Sequence, residues 1–137
     1  MAKLVATNGC FDLLHIWHIR LLEFAKSQGT ELLVLINSDF SVASLKGDGR
    51  PIMPDEERAE VLRALECVDS VLIFQDEYDL ARLYAHFKPE VMVKDSYYRN
   101  REITGSVFAK EVVFFEPTGH STSEIIRRVK DGRRANL

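Results

Sequence analysis

Cysteine is scarce in this sequence: two residues, at positions 10 and 67, in a chain of 137. So far apart, they offer neither a metal-binding spacing nor a disulfide framework, which fits a reducing compartment. Seven glycines and four prolines exclude a collagenous or low-complexity chain. Positive charge is not in surplus either. Eighteen Lys and Arg stand against 21 Asp and Glu, a formal −3 at pH 7, so the chain has no overall basic field of the kind that marks nucleic-acid binders. No apolar run reaches membrane-spanning length, and the first residues, Met1 to Thr7, lack the apolar core of a signal peptide. The expectation is a soluble cytoplasmic domain with neither nucleic acid nor membrane as partner. Also missing are G-x-x-x-x-G-K-S/T and G-x-G-x-x-G, which argues against the phosphate-binding loops of P-loop kinases and of ordinary dinucleotide sites.

What is present is an ordinary globular balance, 46% hydrophobic and 28% charged, with enough apolar material for one core. Apolar runs alternate with helical patterns. Leu4-Val5-Ala6, Leu32 to Ile36, Val71 to Phe74, Val91-Met92-Val93 and Val112 to Phe115 read as strands. Helical spacing predicts helices over His18–Ser27, from Pro54 or Asp55 to Leu65, over Leu80–Phe87 and over Ser123–Lys130, the last capped by Ser121 or Thr122. Asn37-Ser38-Asp39 reads as a break, followed by a polar loop from Lys46 to Pro51. Five β-runs interleaved with helices predict an α/β fold, a single-domain Rossmann-like doubly wound parallel sheet of about five strands. The domain is expected over residues 1–130, with 131–137 as a tail. In such a sheet ligands sit beyond the carboxyl ends of the strands, which directs attention to segments 7–18, 37–51, 75–79, 94–105 and 116–123.

The first of these carries Asn8-Gly9-Cys10-Phe11-Asp12 and then His15-Ile16-Trp17-His18. A glycine turn after a strand exposes backbone N–H groups, and the next helix aims its positive end at the same place, which together make a phosphate cradle. His15 and His18 fall on one helical face and can both donate to phosphate oxygens. The plainer alternative is a helix-capping His15 and a satisfied surface His18. The turn in front of them favours the cradle.

These residues resemble the G-x-F-D…H-x-G-H signature of the small nucleotidyltransferases, the cytidylyltransferase-like superfamily. The stretches Asn37-Ser38-Asp39, Leu45-Lys46-Gly47-Asp48-Gly49-Arg50-Pro51 and Glu57-Arg58 narrow the likeness. So do Val93-Lys94, Glu102-Ile103-x-Gly105 and Ser121-Thr122-Ser123. Together they are similar to the adenylyltransferase domain of the bacterial heptose 1-phosphate kinase/adenylyltransferases, in order from about residue 4 to residue 130.

The resemblance implies transfer of a nucleotidyl group from ATP or CTP to a sugar or polyol phosphate, with release of pyrophosphate and no covalent intermediate. ATP and heptose 1-phosphate are favoured; a glycerol 3-phosphate cytidylyltransferase-like enzyme is the near alternative. In the catalytic role stand His15, His18 and Lys46. Asn8, Gly9, Cys10, Phe11, Asp12, Lys94, Ser121, Thr122 and Ser123 are expected to hold the nucleotide, and Asp39, Arg50 and Arg58 the other substrate. Arg50 and Arg58 have a second reading, pairing with Asp48 or Glu57 and touching no ligand. Lys46 is expected on a mobile glycine-punctuated loop. Mg²⁺ is expected on the triphosphate, with Asp12 or Asp39 reaching it through water and no metal site of the protein's own. A homodimer is compatible with the resemblance.

The sequence departs from the family pattern twice. Trp17 stands where H-x-G-H has glycine, and either turns away, fills part of the nucleotide pocket, or stacks on a base. A pocket blocked by Trp17 would leave a non-catalytic nucleotide- or phosphate-binding homologue. After Lys94, the heptose-type Gly-Gly-Asp-Tyr is replaced by Asp95-Ser96-Tyr97-Tyr98, which points to an altered acceptor or base pocket.

Overall fold

The computed structural model describes residues 2–116 and 121–132. Strands β1 (Leu4–Gly9), β2 (Glu31–Asn37), β3 (Ser70–Phe74), β4 (Val91–Asp95) and β5 (Glu111–Phe115) form one sheet in the order β3-β2-β1-β4-β5. Every neighbouring pair is parallel, so the expected doubly wound architecture is what the chain adopts. Helices α1 (Ile16–Ser27), α2 (Asp39–Lys46), α3 (Asp55–Arg63), α4 (Glu77–Phe87) and α5 (Thr122–Asp131) complete it. The expected C-terminal helix thus runs to Asp131, and tail residues 133–137 lie outside the described residues.

Period-two alternation sorts the sheet's side chains into two cores. Leu32, Val34 and Ile36 of β2 join Val5, Val91 and Val93 against Leu21, Leu22 and Ala25 of α1 and Ala59 and Leu62 of α3. Their neighbours Leu33 and Leu35 join Ala6 and Met92 against Leu80, Leu83 and Tyr84 of α4. This explains why β2 is apolar at consecutive positions: both of its faces are covered. Each fully buried Leu, Ile or Val contributes roughly 1.5–3 kcal/mol of apolar transfer. Among the described residues no helix is long and apolar enough to cross a membrane.

Two boundaries differ from the sequence reading for reasons of capping. The Asn37-Ser38-Asp39 break is the start of α2, because the Ser38 side chain accepts a hydrogen bond from the Ser41 N–H. Similarly, Asp76 accepts from the Asp79 N–H and starts α4 at Glu77, three residues before the expected Leu80. Strand order reverses between β1 and β4, and the crevice beyond their carboxyl ends is where this topology places a ligand.

Candidate active site

A cavity of about 500 Å³ opens at that crevice, a volume suited to a nucleotide-sized molecule. Of the expected residues it brings together Asn8, Gly9, Cys10, Phe11, Asp12, His15, His18, Lys46, Arg50, Lys94, Ser121, Thr122 and Ser123. Asp39 and Arg58 do not line it.

The loop after β1 is shaped by its backbone. Phe11 and Leu13 adopt left-handed conformations, at φ 51° and 55°, and the Phe11 ring folds back over Gly9. A Cβ at Gly9 would lie 3.1 Å from Phe11 Cε2, which is why a side chain is disfavoured there. Asp12 is buried and pins the loop. Its carboxylate accepts from the Ile52 N–H at 2.8 Å, the Met53 N–H at 3.0 Å and Arg50 Nε at 3.2 Å. The Asp12 carbonyl in turn accepts from Thr122 Oγ1 at 2.6 Å, tying the start of α5 to the same loop. Ser121 caps α5 by accepting from the Glu124 N–H. The first turns of α1 and α5 therefore both border the cavity, and helix N-termini carry unpaired N–H groups with partial positive charge.

His15 is the N-cap of α1, and its backbone N–H donates to Nδ1 of His18 at 3.1 Å. The two imidazoles are in contact, centroids 3.8 Å apart and planes tilted by 30°, with the Phe11 ring 5.2 Å from His18. Burial, followed by the His15 and Lys46 charges, pushes the His18 pKa down to about 3 against the opposing pull of Asp12. His18 is thus a neutral imidazole. Because Nδ1 accepts, the ring proton sits on Nε2, leaving one donor to offer a ligand.

Lys46 closes α2 rather than riding on the glycine loop that follows it. It is exposed and lines the cavity, with Gly47 and Gly49 behind it, each at φ 87°. Lys94, at the end of β4, is 7% exposed and lies 4.2 Å from the Tyr98 ring centroid. Burial lowers its pKa to about 8, opposed by the charges of Glu77, Asp95 and Cys10. Burial likewise raises the Cys10 thiol, whose Sγ contacts Asn37 Oδ1 at 3.6 Å.

Arg58 has a different task from the one expected of it. It is 2% exposed, and its guanidinium donates to the carbonyls of Cys10, Asn37 and Met53, each at 2.8 Å, and to Asp39 Oδ1 at 2.9 Å. The Asp39 carboxylate also accepts from the Asp55 backbone N–H at 2.8 Å, and the Asp55 carboxylate from the Asp39 N–H at 2.9 Å. Both residues brace the loops under the cavity. Arg50 pairs with Asp12, not with Asp48. Asp12 is enclosed by its partners, whereas the Asp39 side chain is half exposed, and no group of three metal-ligating side chains occurs among the described residues.

Trp17 is partly buried and packs against the core between His18 and Phe115. Its ring centroid is 6.1 Å from Phe115, which is 5.1 Å from Phe24, so the indole joins an aromatic row over β5 and forms one wall of the cavity. Sequence reasoning passed over Glu77 and Asp95, which also line the cavity. Both fall in segments singled out by topology, just after β3 and at the end of β4, but an acidic residue in a phosphate site gave no reason to choose them.

A family model described as cytidylyltransferase-like matches residues 6–128. The chain is 48% identical over 129 residues to the bifunctional protein HldE of Helicobacter pylori strain Shi470, covering 93% of this chain and 28% of that protein. It is 44% identical over 131 residues to the bifunctional protein HldE of a Nitratiruptor species, with the same coverage. The chain thus spans under a third of the length of these relatives. A crystal structure of the lipopolysaccharide core biosynthesis protein from Thermoplasma volcanium GSS1 superposes with a TM-score of 0.66 at 21% identity, covering 88% of this chain and all of that one, a likeness of fold.

Proposed function

The chain belongs to the cytidylyltransferase-like family of nucleotidyltransferases, and from that premise we propose that it transfers AMP, in preference to CMP, from the triphosphate to a sugar phosphate such as heptose 1-phosphate. AMP and heptose are favoured by the likeness of Leu45–Pro51 to the heptose-type pattern. An acceptor phosphate oxygen attacks the nucleotide α-phosphorus in line; the new P–O bond forms as the bond to the β-phosphate oxygen breaks, and pyrophosphate leaves with that electron pair. Such a step needs positioning and charge neutralisation more than covalent help.

The observation that carries this reading is a convergence on one cavity: Lys46, Arg50, the Nε2–H of a neutral His18 and the N-termini of two helices. Lys46 supplies charge from the end of α2. His18 supplies a directional donor that does not need to be protonated first. Mg²⁺ belongs to the incoming triphosphate as part of the substrate, where it offsets phosphate charge. The nucleotides such a site consumes are cytoplasmic, and we read that compartment as its place of work. The indole of Trp17, stacked toward Phe115, leaves the cavity open and so favours turnover over a blocked, merely binding homologue.

The test is pyrophosphate release from Mg²⁺ with each nucleoside triphosphate and a panel of sugar and polyol phosphates. Release with ATP and a sugar phosphate is expected, and Lys46→Ala should lower kcat/KM by about 100-fold or more with an unchanged melting temperature. Thermal stabilisation by nucleotide without release from any pair would overturn the enzymatic reading. Preference for CTP and glycerol 3-phosphate would move it to the cytidylyltransferase alternative.

A further inference from the structure

A nucleobase binds best to a flat, uncharged surface, and few side chains at the cavity supply one. Among the described residues that line it, four carry a benzene or indole ring: Phe11, Trp17, Phe74 and Tyr98. Phe11 is buried and folded back over Gly9. Phe74 is buried in the core with Leu80 and Leu83. The Tyr98 ring has the Lys94 ammonium 4.2 Å from its centroid. The imidazoles of His15 and His18 are occupied with each other. Trp17 differs from all of these: it is only partly buried, and it forms a wall of the cavity.

Neither ring beside it lies flat on the indole. His18 meets it edge-on at 65°, centroids 6.0 Å apart, and Phe115 is tilted by 52° at 6.1 Å. An aromatic face that no parallel ring covers is open to stacking. The indole N–H is buried and has no hydrogen-bond partner among the described residues, although a buried Trp N–H usually finds one. Packing alone therefore holds the ring, and no hydrogen bond fixes its tilt. With the N–H buried, what the indole offers the cavity is hydrocarbon.

We propose that Trp17 is the residue on which the nucleobase stacks. This rests on the nucleotidyltransferase reading of the cavity and adds how the base of its nucleotide is held. A distance supports the assignment. His18 offers its Nε2–H to phosphate, and the indole centroid lies 6.0 Å from that imidazole. Within a nucleotide, one ribose separates the α-phosphate from the base. A phosphate at His18 thus brings the base to the indole, whereas a sugar phosphate carries no aromatic ring to use it. Phe115 and then Phe24, at centroid spacings of 6.1 and 5.1 Å, back the indole from the protein side. The side chain that departs from the H-x-G-H pattern is on this account a binding element and not an obstruction.

Trp17 is the one tryptophan in the sequence, so its emission reports the contact directly. The experiment titrates the protein with Mg²⁺ and either ATP or inorganic tripolyphosphate, which has the phosphates and no base. Fluorescence is excited on the red edge, where adenine does not absorb, and calorimetry gives Kd for the wild type, Trp17→Phe and Trp17→Leu. ATP is expected to quench the indole and tripolyphosphate to leave it unchanged. The ATP Kd should rise about tenfold or more in Trp17→Leu and stay within about threefold in Trp17→Phe, with tripolyphosphate bound alike by all three proteins. Equal quenching by both ligands, equal weakening of both, ATP bound as tightly or more tightly by Trp17→Leu, or no ATP binding by the wild type would each overturn the proposal. Should Trp17→Leu fail to fold by circular dichroism, the wild-type quenching and Trp17→Phe decide. These titrations contain no acceptor, so they stand apart from turnover. Quenching by ATP without pyrophosphate release from any pair would remove the enzymatic reading and keep the base contact; release with no effect at Trp17 would do the reverse.

Discussion

Replacing His18 with asparagine should flatten the protein's response to acid. In the folded chain the imidazole titrates near 3, against an ordinary 6.5, chiefly because it is buried beside His15 and Lys46. Between those two values the unfolded chain binds a proton that the folded chain refuses. Stability from this group is therefore complete above pH 6.5 and falls as the pH drops toward 3. Linkage gives a loss of about 2 kcal/mol between pH 7.5 and pH 5. Asparagine is the suitable replacement: its Oδ1 can accept the His15 N–H in place of Nδ1, and it does not titrate. Urea unfolding at pH 7.5, 6 and 5 should show the wild type losing about 2 kcal/mol more than His18→Asn. Asp12, His15 and Lys46, which face the imidazole, are present in both proteins and largely cancel in the difference, as do Asp69 and Asp79, whose carboxyls hydrogen bonds hold below their usual range. Parallel stability curves for the two proteins would refute the neutral, buried imidazole and the donor role built on it.

Two other substitutions test the scaffold. Gly105 has φ 86°, and a Cβ there would fall 2.4 Å from Tyr84 Cδ2, so Gly105→Ala combines a left-handed backbone with overpacking. A loss of about 3 kcal/mol is expected, read as a lowered melting temperature; an unchanged melt would show that the β4–β5 connection is not clamped on α4. Arg58→Met strips hydrogen bonds from three carbonyls and leaves Asp39 without its partner, with an expected cost of about 3 kcal/mol in denaturant unfolding. Intact stability with a raised acceptor KM would restore Arg58 to substrate contact.

The sheet was legible because its evidence is local: five apolar runs, each bounded by turn residues, announce five strands, and β2's unbroken apolarity announces burial on both faces. Helix starts were harder. Ser38 reads as part of a break in the sequence and acts as a cap in the structure, since the same short polar side chain does both jobs. Part of the cavity's lining was also readable, because the glycine turn and the paired histidines sit close together in sequence and Ser121 to Ser123 announce a second helix start. The rest was not. Glu77 opens α4 and Asp95 ends β4, and the placement of β4 beside β1 brings them into one cavity with Asn8. Trp17 was unreadable for another reason: whether an indole obstructs depends on the aromatic row of Phe115 and Phe24, one of them at the far end of the chain, which no local pattern reveals.

A chain with net charge −3 can still attract a polyanion if its acids near the site are turned inward. Asp12 shows how. It is surrounded by two backbone amides and Arg50. Its charge is consumed in fixing a loop, so it does not face a phosphate. Arg58 does the same for three carbonyls whose partial negative charge would otherwise border the cradle. What remains exposed to a ligand around the cradle is Lys46, the guanidinium of Arg50, a neutral imidazole donor and two helix starts. The acids that do line the cavity, Glu77 and Asp95, both act on the buried Lys94. The sign of the cavity is thus set less by which residues the sequence contains than by which of them the backbone has already engaged.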